Sequence, residues 1–193
     1  MTGFFTLALI AFLTSPESAH RHATELLSQG QFHRAAQLAR AAVQQYELRF
    51  GKSSLETALL LRDLAKAYRG ERALMKAESV ERREIEILRT RLGEDDANMA
   101  LAQDVLAEIL IDQGRFTEAA RLLRLAESKL DPQNPHLAAI LNDLGVICYH
   151  DRQFKEAALL FHRALEIHET SVTRSNLATI EQSITLRHGS PAH

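Results

Sequence analysis

The chain is poor in residues that interrupt helices and in those that staple small folds. Among 193 residues it has 8 glycines, 4 prolines and 1 cysteine, and aromatics make up 6%. A lone Cys148 excludes an internal disulfide and identifies no redox compartment; a small buried apolar side chain is the reading it supports. Charge of one sign is missing too: 23 Lys and Arg stand against 25 Asp and Glu, a formal net charge of −2. A general electrostatic grip on nucleic acid or on an anionic membrane surface is therefore not expected. The marked apolar run, "FFTLALIAFL" from Phe4 to Leu13, is too short to span a bilayer, so no stable membrane span is expected. What is present is 46% apolar and dominated by Ala, Leu, Glu and Arg, a profile of packed helices rather than sheets. The length suits one ordinary domain or an elongated array of the same mass.

The apolar run has the length of an export-signal core, and small residues come after it in "TSPESA". Against that, no Lys or Arg precedes it, and a cut after Ala19 would put Glu17 where a small residue is usual. Residues 1–18 read either as a signal peptide or as an extra apolar helix packed on the first repeat. The first reading places the mature chain in the periplasm or outside the cell, the second in the cytoplasm.

Self-similarity is visible along the rest. "GQFHRAAQLARAA" from Gly30, "RALMKAESVERREIEIL" from Arg72, "GRFTEAARLLRLAESKL" from Gly114 and "RQFKEAALLFHRALEIH" from Arg152 align without gaps. Phe32, Leu74, Phe116 and Phe154 share one position and Ala35, Ala77, Ala119 and Ala157 another, at spacings of 42, 42 and 38 residues. A second helical segment precedes three of these copies. It places Leu64, Leu106 and Leu144 at equivalent sites, each followed by a small residue, Ala65, Ala107 or Gly145, that lets two helices approach closely. Gly51, Gly93 and Asp131 mark the loops between pairs. Each unit thus reads as helix, turn, helix, loop. One such hairpin cannot cover its own apolar face, so neighbours must stack. The expected fold is all-α: an α-α superhelix, or solenoid, of about four stacked hairpins over residues 19–188, ending in a capping helix that begins near Asn176, Leu177 and Ala178. Residues 189–193 are expected to be a short tail. Phe32, Phe116, Phe154 and Phe161 are expected to supply buried bulk at about 2 to 3 kcal/mol each.

These residues resemble the tetratricopeptide repeat, and in their 42-residue period the longer variant of the kinesin light chain family. The fourth copy carries Leu144, Gly145, Ala157, Phe161 and Ala164 in the family's pattern, and the match runs over residues 19–169. HEAT and armadillo repeats share the period but not this small-residue and aromatic signature. The second copy departs: Glu81 stands where later copies have Leu123 and Phe161, and Glu84 where they have Ala126 and Ala164. Because an unpaired buried carboxylate is strongly disfavoured, both side chains are expected to turn towards solvent, with Arg partners as the alternative.

Catalytic chemistry finds little support. "FGKSS" imitates the end of a phosphate loop, but Tyr46 stands where the motif needs Gly, and the segment lies between helices. His20 and His22, and His162 and His168, are spaced so that each pair diverges around a helix, and no His-Glu-x-x-His or Gly-x-Ser-x-Gly occurs. No enzyme activity, metal or cofactor is expected.

In the resembling family the first helices line a concave face, and there the sequence offers a pattern. Arg62, Lys66 and Arg69 form a basic stripe at i, i+4 and i+7, and Asp104, Glu108 and Asp112 an acidic stripe one period later. The fourth unit would show Asn142, Val146 and Tyr149 on the same face. The stripes would either form a bipolar groove for a peptide or pair with each other. The family's carboxylate clamp for chaperone tails is not reproduced. The resemblance implies a non-enzymatic scaffold or adaptor for a protein or peptide, with a self-associating assembly module as alternative and an enzyme's regulatory subunit as a remote third.

Overall fold

A computed structural model describes residues 15–188. Every element among them is an α-helix: α1 (Pro16–Ser28), α2 (Phe32–Phe50), α3 (Leu55–Gly70), α4 (Leu74–Arg91), α5 (Ala97–Asp112), α6 (Phe116–Glu127), α7 (Pro135–His150), α8 (Phe154–Ile167) and α9 (Ser171–His188). The apolar run Phe4–Leu13 and the expected tail lie outside the described residues. The chain divides into two compact units, one ending at Gln113 and the other beginning at Gly114.

Local chemistry explains where the helices start and turn. First helices of hairpins open on a side-chain cap. Ser15, Ser54, Asp96 and Asn134 have extended backbone, and each accepts a hydrogen bond from a backbone N–H two or three residues on, satisfying a donor that has no partner within the helix. Second helices have no such cap, because a tight turn leads straight into them. Three of those turns close alike: the amides of Gln31, Ala73 and Gln153 donate to the carbonyls of Leu26, Tyr68 and Cys148 at 2.8 to 2.9 Å. The residue before each donor, Gly30, Arg72 or Arg152, has left-handed backbone, the arrangement of a Schellman stop.

In the first unit α1 packs on α2, α2 on α3, α3 on α4 and α4 on α5, and α1 also meets α3 while α3 meets α5. Ala65, Ala77, Val105 and Ile109 form a buried cluster here, so the repeated small residues do sit at close helix approaches. Gly70 shows why a small residue is needed: a Cβ there would come within 2.1 Å of the Phe32 ring. In the second unit α6 packs on α7, α7 on α8, and α9 covers α8 and touches α7, with Leu177 and Ile180 turned inward. Gly145 admits Phe161, whose ring a Cβ at Gly145 would meet at 2.6 Å.

Two expectations about burial change. Phe161 is fully buried, but Phe32 is 36% exposed and Phe116 and Phe154 are only half-buried. The latter three open their helices at the hairpin turn, where one side of the ring meets water; Phe116 covers its ring by stacking on His150 at 3.9 Å. Glu81 and Glu84, expected to face solvent, are both 0% exposed. Cys148 is buried, as a small apolar side chain should be.

Candidate functional site

On α3, residues that look like one charged stripe divide between interior and surface. Arg62 is only 13% exposed and turns towards α4, where it binds the Glu84 carboxylate through two of its nitrogens at 2.5 and 2.8 Å. Glu81 lies one turn before Glu84 with neither oxygen hydrogen-bonded. Burial pushes the Glu81 carboxyl well above the ordinary carboxylate range, and the Glu84 charge pushes it the same way. Burial raises Glu84 too, opposed by the charge of Arg62. Arg62 thus offsets the charge of Glu84, while burial and the like charge of Glu84 both oppose ionisation of Glu81. The next residue along α3, Asp63, is buried against α1, where His20 Nδ1 sits 2.8 and 3.0 Å from its two oxygens. That hydrogen bond raises the imidazole pKa. Arg62 and Asp63 thus knit α3 to the helices on either side of it.

The outward part of the stripe builds a groove. Leu27, Phe32, Lys66, Arg69, Gly70, Arg72, Glu108 and Asp112 line a depression of about 500 Å³ in the first unit. Arg69 pairs with Glu108 and, at 2.6 Å, with Asp112; Arg72 reaches the same Asp112 at 3.0 Å. Lys66 is exposed and forms no ion pair among the described residues, leaving its ammonium free beside this network. Basic residues of α3 and its turn face acidic residues of α5 across the depression, while Phe32 and Leu27 supply an apolar wall.

The sequence-derived candidates therefore separate. Lys66, Arg69 and Glu108 come together in the groove. Arg62 does not join them, and Asp104, with 9% exposure, is also turned inward. The expected side-by-side register of Arg62 with Asp104 is replaced by Arg62 with Glu84 and by Arg69 with Glu108 and Asp112. The reason is helix rotation: the buried Leu60, Leu61 and Leu64 fix α3 so that Arg62 leans towards the second helix of its own hairpin. In the second unit Asn142, Val146 and Tyr149 lie along one face of α7. The Asn142 carboxamide accepts from Asn176 at 3.0 Å and donates to Asp143 at 3.1 Å, while Tyr149, 39% exposed, tilts against Phe154 at 5.6 Å. Sequence reasoning missed Arg72 and the Phe32 wall. A signal for Arg72 existed, since it stands at the turn position held by Gly30 and Gly114.

No group of three or more His, Cys, Asp and Glu among the described residues is arranged to hold a metal ion. No helix among them is long and apolar enough to cross a membrane.

Comparison with known proteins bears on this geometry. A tetratricopeptide repeat family model matches residues 98–170. No curated protein matches the sequence. Among solved structures, the nearly identical TPR-like repeats of a kinesin light chain type from Podosopora anserina superpose with a TM-score of 0.72 at 19% identity, covering 94% of this chain and 90% of that one. BtubC (BKLC) from P. vanneervenii superposes with a TM-score of 0.62 at 18% identity, over 89% of this chain and 85% of that one. The MamA protein gives 0.59 at 15%, over 90% and 85%. At such identities the likeness is one of fold.

Proposed function

We propose that this chain, with tetratricopeptide repeats over residues 98–170 and the fold of kinesin-light-chain-type repeats, is a non-enzymatic scaffold that holds a protein or peptide partner on its first-helix faces. A tetratricopeptide-like fold suggests a protein-interaction scaffold. The observation that carries the finer reading is the first unit's groove, with an unpaired Lys66 next to the Arg69, Glu108 and Asp112 network and an apolar wall at Phe32. An extended segment could rest an apolar side chain on Phe32 and set a carboxylate against Lys66, while the paired charges reject segments of the wrong pattern. In the second unit Tyr149 offers a partly exposed aromatic ring, the kind of side chain that anchors interfaces.

Capture on the immobilised full chain from its native host, read by mass spectrometry, tests the reading. A Lys66→Glu, Tyr149→Ala double variant with unchanged helicity should lose a protein that the wild type and an exposed-site control, Gln44→Ala, both retain. Identical captured sets from all three would refute it. Self-association is a second reading with its own support: the second helices expose Leu48 and Met75 in the first unit and Leu125 and Leu159 in the second. Light scattering that reports a constant monomer mass across concentration would remove it.

A further inference from the structure

The turn between α7 and α8 keeps an arginine where glycine would be conformationally easier. Arg152 has φ of +61°, and its equivalent Arg72 has +60°, whereas Gly30 and Gly114 hold the corresponding place in the other hairpins. A residue with a Cβ is disfavoured in left-handed backbone and glycine is not. Two turns therefore accept local strain in exchange for a guanidinium, and the position of each guanidinium suggests what it is for. Arg72 binds Asp112 at the rim of the first unit's groove. Arg152 has no such partner among the described residues.

Arg152 instead lines a groove of about 710 Å³, contained within the second unit and set between a turn, the second helices α6 and α8, and the capping helix α9. Arg124 and Lys155 line it too, and neither forms an ion pair among the described residues. Glu156 supplies one negative charge against these three positive ones, so the lining is net basic in a chain whose total charge is −2. Most other arginines of the described chain are held by carboxylates, by backbone carbonyls or against aromatic rings. Three unpaired cations around one depression stand out against that pattern. The remaining lining includes Gln153, whose carboxamide can bond an extended backbone, and the apolar surfaces of Phe154 and Ile184.

We propose that this groove docks an acidic peptide segment: its carboxylates pair with Arg124, Arg152 and Lys155, and one of its apolar side chains rests on Phe154 and Ile184. Charge complementarity identifies the occupant as anionic, and the apolar wall and the mixed charge of the rest of the chain favour a peptide over a polynucleotide. The site is separate from the Lys66 groove, so either can fail without the other.

Fluorescence anisotropy on the full chain tests it, using a labelled hexapeptide of alternating glutamate pairs and leucine, with a lysine-for-glutamate version as control. The glutamate peptide should bind, its affinity should fall as salt rises from about 50 to 200 mM, and the lysine version should not bind. Arg152→Gly is the informative variant, because it removes the charge while relieving the backbone. Affinity should drop at least about tenfold while the melting temperature holds or rises, and Lys155→Glu should repeat the loss. Lys66→Glu should leave binding unchanged. No binding by the wild type, unaltered affinity in Arg152→Gly, or loss in Lys66→Glu alone would overturn the proposal. So would displacement of the peptide by a lower concentration of a single-stranded oligonucleotide, which would reassign the groove to nucleic acid.

Discussion

Replacing Glu81 with leucine should stabilise the protein, and more so at higher pH. Glu81 is fully buried, its two oxygens lack hydrogen-bond partners, and the equivalent positions of later repeats hold Leu123 and Phe161. A buried polar group without a partner costs about 1 to 3 kcal/mol by protein mutational data, and leucine removes that cost while adding apolar contact. Arg62 and Glu84 still neutralise each other in the variant. A net gain of about 2 kcal/mol would raise the melting temperature by about 4 to 8 °C for a chain of this size. The pH dependence carries a separate signature. Because the folded-state pKa is raised, the native state binds more protons than the unfolded state from about pH 4.3 upward, and wild-type stability falls through that window by up to about 1.4 kcal/mol per pH unit. Glu84, Arg62 and Lys66 set the local charge in both proteins, so the leucine variant loses only the part of the slope that Glu81 contributes. Urea unfolding followed by circular dichroism at several values from pH 5 to pH 8 reads both effects. A variant less stable than wild type with an unchanged denaturant slope, or a gap that narrows as pH rises, would refute the account of Glu81 as a buried carboxyl whose ionisation the fold disfavours.

Arg62→Met should do the opposite. Removing the cation leaves Glu84 buried without its partner, a loss of about 3 to 5 kcal/mol, and the double variant with Glu84→Ala should recover part of it in thermal melts. Gly145→Ala should cost about 1 to 3 kcal/mol, because the new Cβ meets the immobile, fully buried Phe161 ring. Gly70→Ala should cost less in the same assay despite its closer contact, since the Phe32 ring is partly exposed and can swing outward. The His20–Asp63 pair should contribute fully below about pH 6.5, the unfolded imidazole value, until acid protonates Asp63, whose carboxyl pKa is raised by burial, and should fade as pH rises through the raised folded value of His20. His20→Ala should abolish that component of the pH profile between pH 6 and pH 8 in chemical denaturation. Ser54→Ala, which deletes the cap of α3, should lower stability by about 1 kcal/mol.

Much of the architecture was legible because it rests on spacing. The recurring Ala35, Ala77, Ala119 and Ala157 are all buried, since a small residue is needed wherever two helices nearly touch, and that need leaves a period in the chain. The caps at Ser54, Asp96 and Asn134 are local bonds between neighbours in sequence, a signal that the reading of those loops from Gly51, Gly93 and Asp131 passed over. The fates of Arg62, Glu81, Glu84 and Asp104 were not. Their positions on the helical wheel come from sequence, but whether a polar residue at a given angle meets water or an oppositely charged partner depends on how neighbouring helices rotate against each other. Arg62 finds Glu84 across 22 residues, and His20 finds Asp63 across 43. Only tertiary packing brings such residues together. It also decided that Lys66 in the first unit, and Arg124, Arg152 and Lys155 in the second, line grooves without an ion-pair partner among the described residues.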